Sequence, residues 1–112
     1  MGISTHVLNT ALGRPASGVR VALHRMEHEQ WSLIGDTTTD LDGRALLLAQ
    51  RDVSPSPGLY RLRFQTGAYF EVVGETSLYP QIDLHFAVRD GERHYHLPLL
   101  LTAHSYTTYR GS

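Results

Sequence analysis

The sequence predicts an all-β sandwich, and three observations carry that expectation. Apolar residues recur with period two along most of the chain, as in strands with one buried and one open face. The alternating runs are short, about eight in all, and turn-forming residues separate them. Only one stretch, Gly67 to Val73, supports a helix, about two turns long by helix geometry. A chain of 112 residues suits one domain, residues 1–112, with a single real core.

Taken in order, Ile3, Thr5 and Val7 alternate with Ser4, His6 and Leu8 in the first strand. Gly13-Arg14-Pro15-Ala16-Ser17-Gly18 reads as a loop, because Gly, Pro and Ser favour turns. Val19, Val21 and Leu23 then alternate with Arg20, Ala22 and His24. Trp31 to Thr38 forms a third strand, closed by the turn signal Thr39-Asp40-Leu41-Asp42-Gly43. Arg44 opens the next short strand, Ala45 to Leu48. Ser54-Pro55-Ser56-Pro57-Gly58 is the clearest breaker. Beyond it Tyr60, Leu62 and Phe64 face one way and Arg61 and Arg63 the other. After the helix, Ile82, Leu84, Phe86 and Val88 alternate with Asp83, His85, Ala87 and Arg89. Two last strands are expected near 93–101 and 104–110.

Composition narrows the function. A net charge of -1 gives no electrostatic case for nucleic acid or an anionic membrane. The apolar runs are far too short to span a bilayer as helices. Without Cys there can be neither disulfides nor thiolate metal sites. No basic stretch followed by an apolar run opens the chain, so a cytoplasmic location is the default expectation. No Gly-x-Ser-x-Gly elbow or phosphate loop occurs, which argues against serine-hydrolase and nucleotide chemistry.

Two strands put imidazoles on the face turned away from the core. In strand 93–101 the odd residues Tyr95, Leu97, Leu99 and Leu101 suit the core, leaving His94, His96, Pro98 and Leu100 opposite. In the first strand His6 and Leu8 likewise point outward. A His-and-apolar outer face should line a site or meet a second subunit. Pro98 lacks an N–H and should interrupt its ladder. By position alone His6 could be a surface residue or a proton-transfer group. His94-x-His96 is compatible with proton transfer, with metal ligation, or with one solvated and one packing imidazole. Arg44 could be an exposed residue after a turn or a forked donor to a planar, oxygen-rich ligand.

Three segments carry a resemblance: Ser4-Thr5-His6-Val7-Leu8-Asn9, His94-Tyr95-His96-Leu97-Pro98-Leu99-Leu100-Leu101, and Tyr109-Arg110-Gly111-Ser112. Together they resemble the 5-hydroxyisourate hydrolases, the transthyretin-related enzymes of purine breakdown. The resemblance covers almost the whole chain and implies a transthyretin-like sandwich of two four-stranded sheets with one short helix. It implies ring opening of 5-hydroxyisourate by water to 2-oxo-4-hydroxy-4-carboxy-5-ureidoimidazoline. His6, Arg44 and His96 match its catalytic positions, with His6 and Arg44 also binding substrate. One of His6 and His96 would activate water while the other donates a proton or orients substrate. Tyr109 would line the pocket, Ser112 would supply a hydroxyl and the terminal carboxylate, and His94 would be a bystander.

The resemblance also implies a homotetramer with active sites at the subunit interface, and no metal, cofactor or covalent intermediate. Two departures stand out: Asn9 where Asp is common, and Thr102-Ala103-His104 where a Ser-Pro turn is frequent. The alternative reading is a thyroid-hormone-type binding protein of the same fold. The transthyretin carrier has Lys, Glu and Thr where this chain has His6, Arg44 and His96. A third reading is a metallohydrolase using His94, His96 and His6.

Overall fold

The computed structural model describes residues 2–48, 55–89 and 93–112. Its elements are β1 (Ile3–Asn9), β2 (Arg14–Pro15), β3 (Arg20–Glu27), β4 (Gln30–Thr38), β5 (Arg44–Leu48), β6 (Gly58–Phe64), α1 (Thr66–Val73), β7 (Ile82–Val88), β8 (Tyr95–Leu101) and β9 (Tyr106–Thr108). One sheet runs β2-β1-β8-β9, with β5 sharing the β2 edge of β1; the other runs β4-β3-β6-β7. The expected two four-stranded sheets with one short helix are therefore present, and the first sheet gains a fifth strand. That extra strand is Arg14–Pro15, inside the segment read as a loop. Two residues carry no periodicity, but they pair with Asn9 and Leu8. Of the Ser54–Gly58 breaker, Ser54 lies outside the described residues. Among the described residues no helix is long and apolar enough to cross a membrane.

The core forms where the inner faces meet. From the first sheet come Ile3, Val7, Leu99 and Leu101, and from the second Val21, Leu23, Leu62 and Phe64, all essentially inaccessible to solvent. These are the alternate positions that periodicity selects, because side chains two residues apart share a face. The outer face of the second sheet carries an arginine–aspartate pair and a cation–aromatic contact. Arg63 holds Asp83 through two hydrogen bonds of 2.8 and 2.9 Å, and Arg61 lies 4.6 Å over the Trp31 ring.

Helix α1 begins one residue before the expected Gly67 and stops at Gly74, whose φ of 84° suits glycine. Its Tyr69 is tied to the end of β1. Asn9, 1% exposed, donates from Nδ2 to the Tyr69 hydroxyl at 3.1 Å and accepts from Leu12 N at 3.1 Å. An amide performs both tasks without burying a charge. Asn9→Ala removes the partner of the buried Tyr69 hydroxyl and the acceptor of the Leu12 N–H, and should cost about 1–3 kcal/mol. The expected readout is a lower urea midpoint with an unchanged slope.

The turn between β8 and β9, Thr102-Ala103-His104-Ser105, closes without a proline. The Thr102 N–H donates to Ser105 O at 2.9 Å, and His104 N to the Thr102 hydroxyl at 3.2 Å. Strand β9 is shorter than the expected 104–110: the turn takes its start, and Pro98 sets its end. The His96 carbonyl accepts from Gly111 N at 2.7 Å, so backbone groups of alternate β8 residues face the tail. Pro98 therefore presents a carbonyl but no N–H there. Thr108 Oγ1 donates to that carbonyl at 2.7 Å, the ladder lapses at Tyr109 and Arg110, and Gly111 resumes it as a bridge to His96.

Candidate active site

Strand β1 lies between β5 and β8, and its outer face gathers polar groups from all three. In register, Ser4 sits between Leu46 and His96, and His6 between Arg44 and Pro98. Directly opposed residues have Cβ atoms about 4.5–5.5 Å apart. His6 and Arg44 are thus cross-strand neighbours, with His96 on the diagonal. The β1–β5 register shifts between Ile3 and Ser4, a bulge of the kind that re-aims side chains beside functional sites.

The turn before β5 fixes His6. Asp40 Oδ1 accepts from Asp42 N at 2.9 Å and from Arg44 N at 3.0 Å. Gly43 N donates to Asp40 O and Asp40 N to Arg44 O, both at 2.9 Å. This geometry aims the Asp42 carbonyl at His6 Nε2, 2.8 Å away. A carbonyl only accepts, so Nε2 carries the hydrogen and Nδ1 of the neutral ring keeps a lone pair. Gly43 has φ of 76°, and its own carbonyl accepts from Val7 N at 2.7 Å. A side chain there would strike the Val7 carbonyl.

His96 is half-buried and held from two sides. Its Nδ1 lies 2.8 Å from the Ser4 hydroxyl, which also lies 2.7 Å from Nε2 of His94. Gly111 of the tail covers the ring, where a Cβ would stand 2.5 Å from Cδ2. Burial lowers the pKa of His96 below the usual imidazole value, helped by the charges of His94, Arg44 and His6. At neutral pH the ring is therefore neutral and basic.

Ser4, Thr5, Asp40, Arg44, Ala45, Leu46 and His96 line a cleft of about 280 Å³. Arg44 is exposed and its guanidinium has no ion-pair partner among the described residues. A free guanidinium, two imidazoles and a hydroxyl suit a small planar ligand rich in carbonyl oxygens. Among the described residues no group of three or more His, Cys, Asp or Glu side chains could hold a metal ion.

His6, Arg44 and His96, predicted from the sequence as site residues, thus share one face. Tyr109 does not join them within the single chain. It is 57% exposed and lines a second cleft with Phe86, Ala87, Tyr95, Leu97, Thr108 and Arg110. Ser112 is exposed, one residue beyond the Gly111 bridge. Three further contributors carried no role in the sequence reading: Ser4, Asp40 and Gly111. Ser4 shares strand parity with His6, and that signal could have found it. His94, read as a bystander, is joined to His96 through Ser4. His24 and His85 lie on the second sheet, away from the cleft.

A model of the HIUase/Transthyretin family matches residues 3–111. A 5-hydroxyisourate hydrolase of Caulobacter vibrioides is 42% identical over 99% of this chain and 98% of its own length. The solved structure of Klebsiella pneumoniae 5-hydroxyisourate hydrolase superposes with a TM-score of 0.85 at 33% identity, covering 99% of this chain and 98% of that one. Sea bream transthyretin, solved in complex with thyroxine, superposes with a TM-score of 0.90 at 30% identity, covering 99% and 95%. Backbone shape alone therefore does not separate the hydrolase from the thyroxine-binding protein. The chain belongs to the HIUase/transthyretin family.

Proposed function

We propose that this chain hydrolyses 5-hydroxyisourate, opening its six-membered ring to give 2-oxo-4-hydroxy-4-carboxy-5-ureidoimidazoline. The observation that carries the reading is that His6, Arg44 and His96 share one sheet face, with Arg44 and His96 lining its cleft. His96, kept neutral by burial and neighbouring positive charge, takes the proton of the attacking water at Nε2. Such acid–base help is worth about 10²–10⁴-fold. Arg44 holds the substrate carbonyl and stabilises the oxyanion as it forms. His6, its Nε2–H committed to the Asp42 carbonyl, turns Nδ1 toward substrate and orients it. The proton then passes to the departing ring nitrogen. The chemistry uses only these side chains and water. The working unit is a homotetramer in which neighbouring copies meet at this outer face. Leu46, 55% exposed on that face, and the outlying Tyr109 and Ser112 support this arrangement.

Early-quenched product formed in water enriched in oxygen-18 should carry one heavy oxygen in its new carboxylate, well above the uncatalysed amount. Tight thyroxine uptake with no product above the blank would replace the enzyme by the carrier reading. A second expected outcome concerns pH. The base must be unprotonated, and its pKa is lowered from 6.5. Activity should therefore be retained below pH 6.5 and be lost as pH falls through the lowered value. A profile of kcat/KM, which reports free-enzyme groups, should place the acid limb below 6.5; a limb above that value contradicts the assignment.

A further inference from the structure

We infer that Ser4 and His94 form a proton relay that connects His96 to solvent, so that one imidazole can serve in turn as base and acid. The inference rests on the proposed hydrolysis. The Ser4 hydroxyl lies 2.8 Å from His96 Nδ1 and 2.7 Å from His94 Nε2. A hydroxyl has one hydrogen to donate and lone pairs to accept. With two ring nitrogens in reach, it accepts from one ring while donating to the other. Two arrangements follow, differing only in the direction of the chain. His94 is exposed, whereas Ser4 and His96 are half-buried. The chain thus leads from the cleft to water.

The surroundings explain why a relay is useful. In a Ser-His-Asp triad a carboxylate stands at the ring nitrogen remote from the reaction and stabilises the imidazolium. Here a hydroxyl and a second imidazole stand at that nitrogen. The groups facing His96 are His94 before β8, His6 on β1, Arg44 on β5, and the backbone of Gly111. Asp40, the acidic residue lining the cleft, has Oδ1 engaged by two backbone N–H groups. A lasting positive charge on His96 is unfavourable among such neighbours. On exposed His94 the same charge is solvated by water.

The protons balance as follows. His96 Nε2 takes a proton from water as the new C–O bond forms. The Nδ1 proton of His96 passes to Ser4 Oγ, the Ser4 hydroxyl proton passes to His94 Nε2, and His94 Nδ1 releases one proton to solvent. His96 is then neutral again, with its hydrogen on Nε2. When the C–N bond breaks, that hydrogen goes to the departing ring nitrogen. His94 regains a proton from solvent, Ser4 returns one to His96 Nδ1, and the starting arrangement is restored. Over the cycle the relay consumes no proton.

The test compares Ser4→Ala, Ser4→Thr and His94→Ala with the wild-type chain. Ser4→Ala should lower kcat about 10- to 100-fold, part of the acid–base contribution, with KM changed less than about twofold. Ser4→Thr, which restores a hydroxyl, should recover most of kcat. His94→Ala should lose kcat and regain it in proportion to added imidazole, which can occupy the exposed end. Separately from turnover, imidazole nitrogen-15 shifts should show His94 and His96 titrating as a coupled pair in the wild type and independently in Ser4→Ala. Wild-type kcat in both alanine variants, or losses restored by neither the hydroxyl nor imidazole, would overturn the relay. Independent titration in an active wild-type chain would do the same. Absence of turnover in the wild type would instead remove the hydrolase reading, and the titration data would still judge the coupling.

Discussion

Replacing His96 by Asn should lower kcat for 5-hydroxyisourate hydrolysis by about 10²–10⁴-fold while the fold and assembly persist. Asn is the informative replacement because of where the ring sits. Its amide can approach the Ser4 hydroxyl that now lies 2.8 Å from Nδ1. It also leaves room beneath Gly111, which packs on the ring. What it lacks is a basic lone pair at the position of Nε2. The loss should thus appear in kcat, with KM and the thermal midpoint nearly unchanged and the acid limb of the pH profile abolished. Turnover within a few-fold of wild type would remove His96 from the chemistry.

The second large effect is expected at Arg44. Arg44→Lys keeps the positive charge but exchanges a planar fork for a single ammonium. The loss of a well-placed oxyanion donor is worth about 2.7–4 kcal/mol in other hydrolases, or 10²–10³ in kcat. The backbone is insulated from the change, because the Asp40 carboxylate holds Arg44 through its N–H and not its side chain. The His6 contact to the Asp42 carbonyl should survive for the same reason. Kinetics of Arg44→Lys should show a fall in kcat and a rise in KM, with the acid limb from His96 intact. Wild-type kinetics in this variant would mean that charge alone, or another donor, serves the oxyanion.

Much of this was legible in the sequence because strands write their two faces into alternate residues. Tyr60, Leu62 and Phe64 read as core, and all three are buried. The same parity turned His6 and His96 away from the core. Pro98 foretold a broken ladder, since a missing N–H is a property of the residue itself. Parity says nothing, however, about which strands become neighbours. The parallel pairing of β1 with β8, and the register that sets Arg44 opposite His6, come from long-range packing. Strand β2 escaped notice because two residues carry no period. Asp40 escaped because a turn signal names a turn and not the carbonyl it aims. His94 and Ser4 each looked ordinary alone; only the register puts one hydroxyl between two rings. Tyr109 was assigned to the pocket by resemblance, and within the single chain it borders a different cleft.

The most direct test of the account is the decay of the ultraviolet absorbance of 5-hydroxyisourate, freshly generated from urate, with and without the protein and with chelator present throughout. The account predicts decay well above the spontaneous rate, proportional to protein concentration and unaffected by chelator. Decay matching the blank, from a folded and assembled protein, would contradict it.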